Sequence, residues 1–244
     1  KNSGISPNFN RGLKDAKGEW IKFIAGDDLL IDTCITTNLN LVKDSVHSFF
    51  FTMPKYIGEE LSLINLFELG YRLFNKHSNQ LSILLEQNCL PAAASFIRRS
   101  ALKKMEGFDE RFPMLEDYPM WIKAVNNNNK IIFNNAETVF YRMHDESISK
   151  NNASKENTYF YSNLIFYNSW FKFLAKVLIF EQIKGKMLIA AWDNLIELAK
   201  FKVAKISNNK KNYASIILFK GLDLLRPLFY FYWLNRIRKR LVTK

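Results

Sequence analysis

Cysteine is scarce in this chain. The 244 residues hold two, Cys34 and Cys89, too far apart for a CxxC motif or a zinc-ligand spacing. That excludes a disulfide scaffold and suits a reducing compartment. Nine glycines and six prolines are too few for a collagen-like or linker-dominated chain. Acidic residues are short in one region only. Residues 1–150 carry 18 basic and 18 acidic residues, whereas residues 151–244 carry 17 basic and five acidic, so the whole formal excess of +12 lies in the C-terminal part. A uniformly basic surface would not divide this way, and the asymmetry points to an anionic partner for that part. Long uninterrupted apolar runs are missing as well. The stretch Tyr213 to Leu234 is interrupted by Lys220, Asp223, Arg226 and Pro227, and each charge is costly at a bilayer centre, which argues against a transmembrane span. No signal peptide is in view, so Asn152-Ala153-Ser154 reads as a chance sequon. What the chain has is 48% hydrophobic and 15% aromatic content, enough for one globular domain plus an appendage and too much for a disordered chain.

The patterning separates two regions, 1–150 and 151–244. In the first, Ser6-Pro7 predicts a helix start with Ser6 as cap, and Gly18 a stop. Trp20 to Ala25 predicts a strand ending at Gly26-Asp27-Asp28. A helix over 32–44 follows, then an aromatic strand from His47 ended by Pro54. Helices are expected at 61–75 and 80–87, a small-residue strand at 92–97, and a helix at 101–106 capped by Ser100 and closed by Gly107. Glu116 to Val125 predicts a further helix, and 130–133 and 137–142 two strands. Strands alternating with helices imply an α/β sheet layered by helices. After Asn151 the strand signal stops, and long helical stretches are expected at about 156–180, 184–206 and 212–240.

Two pairs of acids stand at element ends. Asp27-Asp28 follows an apolar strand, where an open α/β sheet forms its ligand crevice, and paired carboxylates there suit a hard divalent cation whose other ligands are phosphate and water. The structural alternative is a helix cap. Glu116-Asp117 opens a helix, as a general base in a cleft or as simple compensation of the helix dipole. Neither pair decides its own role.

Together with their neighbours the pairs become specific. The run Asn10-Arg11-Gly12 through Ala16-Lys17-Gly18-Glu19-Trp20-Ile21 into Phe23-Ile24-Ala25-Gly26-Asp27-Asp28 resembles the middle of the family 2 glycosyltransferase domain. Ala94 to Ser100, then Gly107-Phe108-Asp109-Glu110 and Glu116-Asp117-Tyr118, resembles that family's acceptor-side segment. Tyr141-Arg142-Met143-His144 with Ser149 resembles its closing segment. The resemblance implies the GT-A (Rossmann-like) fold, a mixed and mainly parallel sheet, followed here by an α-helical C-terminal region. It implies inverting transfer of a sugar from a nucleotide-sugar, commonly a UDP-sugar, to a hydroxyl on a saccharide or lipid-linked acceptor, in cell-envelope or surface polysaccharide synthesis. Carried over by position, Asp117 matches the catalytic base and Glu116 its partner. Asp27 matches the ligand of a Mg²⁺ or Mn²⁺ ion, and Asp28, Arg142 and His144 fall on the donor side. Ala25 stands where the family has the first acid of Asp-x-Asp. The motifs begin half-way through the nucleotide-binding half, as in a chain lacking its first strands, so that an inactive fragment is one expectation.

The aromatic, apolar stretch 213–240 ends in Arg236, Arg238, Lys239 and Arg240, which predicts attachment to an anionic membrane surface, placing the protein in the cytoplasm at the inner face of the plasma membrane. The plainer alternative is a helical subdomain with a solvated basic tail. Nucleic acid is not expected, since no RNA-binding signature accompanies the charge. Two further alternatives are a glycoside hydrolase using two carboxylates and a catalytically inactive binding module.

Overall fold

The structure is a computed structural model and describes residues 3–58, 79–143, 160–161 and 164–226. The chain divides into two units, Lys1–Ser147 and Ile148–Lys244. In the first, α1 (Ile5–Asp15) leads into β1 (Trp20–Lys22), β2 (Leu29–Leu30), α2 (Cys34–Val42) and β3 (Phe49–Gly58). After the undescribed residues 59–78, where the helix expected at 61–75 falls, come α3 (Gln80–Glu86), β4 (Ser95–Arg98), α4 (Arg99–Lys104), α5 (Asp117–Asn126) and β5 (Ile131–Met143). The sheet order is β1-β4-β3-β5-β2. It is mixed, as expected, but not mainly parallel. Of these pairings only β3 with β5 is parallel, and β1–β4, β3–β4 and β2–β5 are antiparallel. The strand–helix alternation misleads because β1 and β2 are short and attach at opposite edges.

The run Phe49-Phe50-Phe51 forms a strand because both sheet faces are covered. Phe49 and Phe51 are fully buried, and Phe51 meets the edge of Trp121 on α5 with ring centroids 4.8 Å apart. Phe50 points the other way, into Val42, Phe96 and Trp20. Pro54 does not end the strand. The ladder shifts register between Phe51 and Pro54, and this bulge admits a residue without an amide hydrogen. The same irregularity joins the two strands expected at 130–142 into one.

Two expected helix caps are replaced by other devices. α1 starts at Ile5 after Gly4 at φ 102. The carbonyl of Pro113 accepts the Ile5 and Ser6 amides at 2.6 and 3.1 Å. Ser6 is buried instead, its hydroxyl donating to Phe112 O at 2.8 Å. α4 begins at Arg99, one residue before Ser100, with Arg98 in the capping position and no side-chain cap. Gly107 does end the turn after α4, at φ 71. A Cβ there would collide with Asn10 Oδ1. Asn10 explains why: its Oδ1 accepts Phe108 N at 2.8 Å while its Nδ2 donates to Phe108 O at 2.9 Å. Asn10 and Gly107-Phe108 therefore form one strut between α1 and the segment entering α5.

The second unit is helical over its described residues. α6 (Leu164–Phe173) continues through a π-helical turn, Leu174–Leu178, into α7 (Ile179–Lys184), followed by α8 (Leu188–Ile206) and α9 (Tyr213–Asp223). Phe171 stacks on Phe201 with ring centroids 4.1 Å apart. Asp223 and Arg226, two of the charges that interrupt the apolar stretch, engage α8. Lys200 Nζ lies 2.9 Å from Asp223 Oδ1, and Arg226 pairs with Glu197. α9 ends at Asp223, well short of residue 240. The basic cluster 236–240 lies outside the described residues. Among the described residues no helix is long and apolar enough to cross a membrane.

Candidate functional site

The acidic turn after β1 is built by three strands. β2 pairs with β5 in the register Leu29 to Phe140 and Leu30 to Val139, which carries Asp28 toward Tyr141 and Arg142. Asp28 is buried, and its Oδ1 accepts the Arg142 amide at 2.9 Å. Arg142 Nε in turn donates to the backbone carbonyl of Asp27 at 2.8 Å. Asp27 itself is exposed. The helix-cap alternative for this pair fails, because the next helix begins only at Cys34, with Thr33 in the capping position. Lys22, on β1, donates from Nζ to Ala93 O. Burial lowers its pKa to about 8, against the nearby Cys34 and Asp28.

The second acidic pair sits where α5 begins. Tyr118 anchors this end by donating its hydroxyl to Leu84 O, and Trp121 Nε1 donates to Leu90 O at 2.8 Å. The first ties α3 to α5 and the second ties the 87–91 loop to it, which brings Asn88 to Asp117. Asn88 Nδ2 donates to Asp117 Oδ2 at 2.9 Å, and the Tyr118 amide donates to Asp117 Oδ1 at 2.6 Å. Asn88 Oδ1 accepts Leu90 N at 3.3 Å, which fixes the amide with its donor toward the carboxylate. Glu116 occupies the capping position without a side-chain capping bond.

Burial, then the charge of Asp117, pushes Glu116 up to about 8. Asp117 is also raised by burial, but the bonds from Asn88 and Tyr118 act against that rise. Two carboxyls this close do not both ionise easily. The donors sit on Asp117, so Asp117 takes the charge and Glu116 keeps the proton.

Tyr141 links the two pairs. Its hydroxyl is held above its ordinary pKa by burial and by the charges of Asp28, Asp117, Asp27 and Glu116. Both pairs thus lie within electrostatic range of one phenol, although Asp27 and Asp117 are 90 residues apart in sequence. Its ring rests edge-on against Tyr56, its partner across β3 and β5. Asn88, Lys22 and Tyr141 were not assigned roles from sequence. Asn88 sits in a loop without pattern, and Lys22 looks like an outward strand residue. Tyr141 was visible only as part of the closing segment. His144 lies outside the described residues.

Among the described residues no group of three or more His, Cys, Asp or Glu side chains is arranged to hold a metal. The acidic turn offers Asp27, with Asp28 beside it already accepting one backbone amide. Such a donor set fits Mg²⁺ or Mn²⁺ when a diphosphate supplies further oxygens, and does not fit a cage made by protein alone.

No family model matches the chain. Over 148 residues it is 25% identical to the Escherichia coli enzyme UDP-Glc:alpha-D-GlcNAc-diphosphoundecaprenol beta-1,3-glucosyltransferase WfaP, covering 58% of this chain and 53% of that protein. The chain is related to glycosyltransferases. An uncharacterized glycosyltransferase of Rickettsia typhi is 26% identical over 164 residues, 59% of this chain and 46% of that protein. The matches thus span about half the length of these curated relatives. Among solved structures, S. aureus TarS 1–349 in complex with UDP-GlcNAc aligns over 82% of this chain and 53% of that chain, at 17% identity and a TM-score of 0.48. A second structure of S. aureus TarS aligns over 82% of this chain and 31% of that chain, at 13% identity and a TM-score of 0.49.

Proposed function

We propose that the protein transfers a sugar from a nucleotide-sugar, most simply a UDP-sugar, to a hydroxyl acceptor by direct, inverting displacement. The observation that carries this is the pair of built acidic turns in the first unit, Asp28 bonded to the Arg142 amide beside Asp27, and Asp117 held by Asn88 and the Tyr118 amide beside Glu116. One pair suits a diphosphate and its counter-ion, and the other suits a hydroxyl about to lose its proton. The similarity to the E. coli and Rickettsia typhi glycosyltransferases supports the same reading.

Asp117 is the base. Its two oxygens are oriented by Asn88 and the Tyr118 amide, and an acceptor hydroxyl within hydrogen-bond reach gives it the proton as that oxygen attacks the anomeric carbon. Glu116, protonated, is its partner. It keeps a second negative charge away from the incoming oxygen and offers a donor to the sugar. Asp27 and Asp28 would hold a divalent cation against the donor's diphosphate, with Arg142 and His144 on the same side. When bound, the ion supplies positive charge against the negative charge that gathers on the leaving diphosphate. No nucleophilic side chain is needed, since the acceptor oxygen displaces the nucleotide directly. The name of the E. coli relative specifies a diphosphoundecaprenol-linked acceptor. We assign this protein a lipid-linked saccharide acceptor of that class, in surface polysaccharide synthesis at the cytoplasmic face of the membrane.

The test is release of UDP from a panel of UDP-sugars by the full-length protein, with and without Mg²⁺ or Mn²⁺. Asp117→Asn should abolish transfer and leave donor binding largely intact, while Asp27→Ala should weaken cation-dependent donor binding. Wild-type turnover by Asp117→Asn would remove the base assignment. Activity indifferent to chelation would remove the cation.

A further inference from the structure

The helical unit leaves apolar side chains uncovered where α7 turns into α8. Phe180 and Ile183 on α7 are 64% and 51% exposed, and Leu188, Ile189 and Trp192 on α8 are 64%, 55% and 49% exposed. They are not scattered. Phe180 and Ile183 share a helical face, as do Leu188 and Trp192. The turn between the helices is tight, with Lys186 at φ 61. Its backbone is closed by Gly185 N to Glu181 O and Met187 N to Gln182 O, both at 2.8 Å. The patch continues onto the end of α9. Trp192 Nε1 donates to Leu225 O at 2.8 Å, and Leu225 is itself 57% exposed. The indole's polar edge is thus satisfied within the protein while its ring borders solvent.

Charge says what can cover this patch. Residues 164–226 carry 11 basic and four acidic residues, a net of 11 − 4 = +7. Glu197 and Asp223 are engaged with Lys200 and Arg226. Lys176, Lys184 and Lys186 are exposed and flank the apolar side chains, Lys184 at the surface 3.8 Å from Glu181. A second copy of the unit would bring the same positive charge to the contact and be repelled. An apolar, aromatic surface flanked by lysines matches the boundary between headgroups and acyl chains of an anionic bilayer. We propose that the α7–α8 turn is a membrane-contact surface, seated by Phe180, Ile183, Leu188 and Trp192 and attracted by the three lysines. It acts independently of the basic cluster at 236–240, and it stands apart from the sugar-transfer reading.

The test is sedimentation of the 244-residue chain with vesicles of phosphatidylcholine, alone or mixed with phosphatidylglycerol. Binding should require the anionic lipid at low protein concentration and weaken as salt rises. Phe180→Ser combined with Leu188→Ser leaves the C-terminal cluster intact, replaces only exposed side chains and should weaken partitioning about tenfold or more. Lys184→Glu with Lys186→Glu, at the exposed turn, should weaken binding specifically to the anionic vesicles. Brominated acyl chains should quench tryptophan emission in the wild type, and Trp192→Phe should lose most of that quenching. The proposal is overturned if the chain ignores anionic vesicles at low salt, or if both double variants bind like the wild type. It is equally overturned if Phe180→Ser with Leu188→Ser only converts a dimer into a monomer.

Discussion

Glu116→Gln should stabilise the protein at alkaline pH and change little near pH 4.5. In the folded chain, burial and then the charge of Asp117 push Glu116 from its ordinary 4.5 to about 8. A folded-state pKa above the unfolded one means that the native protein holds this proton more tightly. The stability tied to that proton is full below about pH 4.5 and is lost as pH rises through about 8. A displacement of that size corresponds to at most about 5 kcal/mol, at roughly 1.4 kcal/mol per pH unit. Removing the Glu116 carboxyl leaves Asp117 in the same buried site, so the variant recovers only part of this, about 2 kcal/mol. Glutamine has the same shape and cannot ionise, so the variant escapes that part of the loss. Its melting temperature should match the wild type at pH 4.5 and exceed it by about 5 °C at pH 9, taking about 2–4 °C per kcal/mol for a chain of this size. Thermal melts in steps from pH 4.5 to 9 provide the measurement. Parallel curves for the two proteins would refute the reasoning, because they would mean that Glu116 titrates alike in the folded and unfolded chain.

Asn88→Ala removes a donor from Asp117 Oδ2, so the base ionises less readily. The acid limb of the rate profile should move to higher pH by about one unit, with the alkaline limb unchanged. A uniform loss of rate at every pH would make Asn88 structural only. Gly107→Ala forces a Cβ into Asn10 Oδ1 at a positive φ and should cost about 2 kcal/mol or more by chemical denaturation. Asn10→Ala, which breaks the strut from the other side, should cost about the same. Adding the second change to the first should then cost little more.

Much of the architecture could be read from local pattern. The helix at Asp117–Asn126 and the strand through Phe49-Phe50-Phe51 follow from periodicity and aromatic density. The elements that pattern misread are those settled by distant partners. Pro54 stays inside β3 because a bulge opposite β5 accommodates it. Ser6 is buried because Pro113, far away in sequence, supplies the capping carbonyl. Asn10, visible only as part of a resemblance, and Gly107, expected as a helix stop, are explained by the strut between them. Both acidic pairs were legible as candidates because acids at element ends are conspicuous. A shared cleft for Asp27 and Asp117 follows as an expectation from the chemistry, since diphosphate and acceptor hydroxyl must meet at one anomeric carbon, but the β2–β5 register and the place of Tyr141 do not. Asn88 was invisible for a similar reason: a loop asparagine gains meaning only when Trp121 holds its loop, and Tyr118 the preceding helix, against α5.

Asp28 is where a structural and a chemical role meet in one side chain, and two substitutions separate them. Its Oδ1 accepts the Arg142 amide at 2.9 Å, and Arg142 Nε returns a bond to the Asp27 carbonyl at 2.8 Å. That loop of bonds fixes the backbone at Asp27. Asparagine at position 28 keeps an acceptor oxygen for the amide and loses only the charge, whereas alanine loses both. If Asp28 serves the turn alone, Asp28→Asn should keep both stability and cation-dependent donor binding, and Asp28→Ala should cost about 1–3 kcal/mol through the buried amide left without its acceptor. If its charge also helps to hold the diphosphate's counter-ion, Asp28→Asn should weaken donor binding at unchanged melting temperature, and the deficit should shrink as Mg²⁺ is raised. The buried position and the bond to Arg142 favour a carboxylate that does both, because one oxygen is committed to the backbone while the charge acts on Lys22 and Tyr141. Isothermal titration of a UDP-sugar against the two variants, with melting curves beside it, distinguishes these outcomes. Donor binding by Asp28→Asn equal to wild type at every Mg²⁺ concentration would leave Asp27 as the turn's sole contributor of charge to the donor.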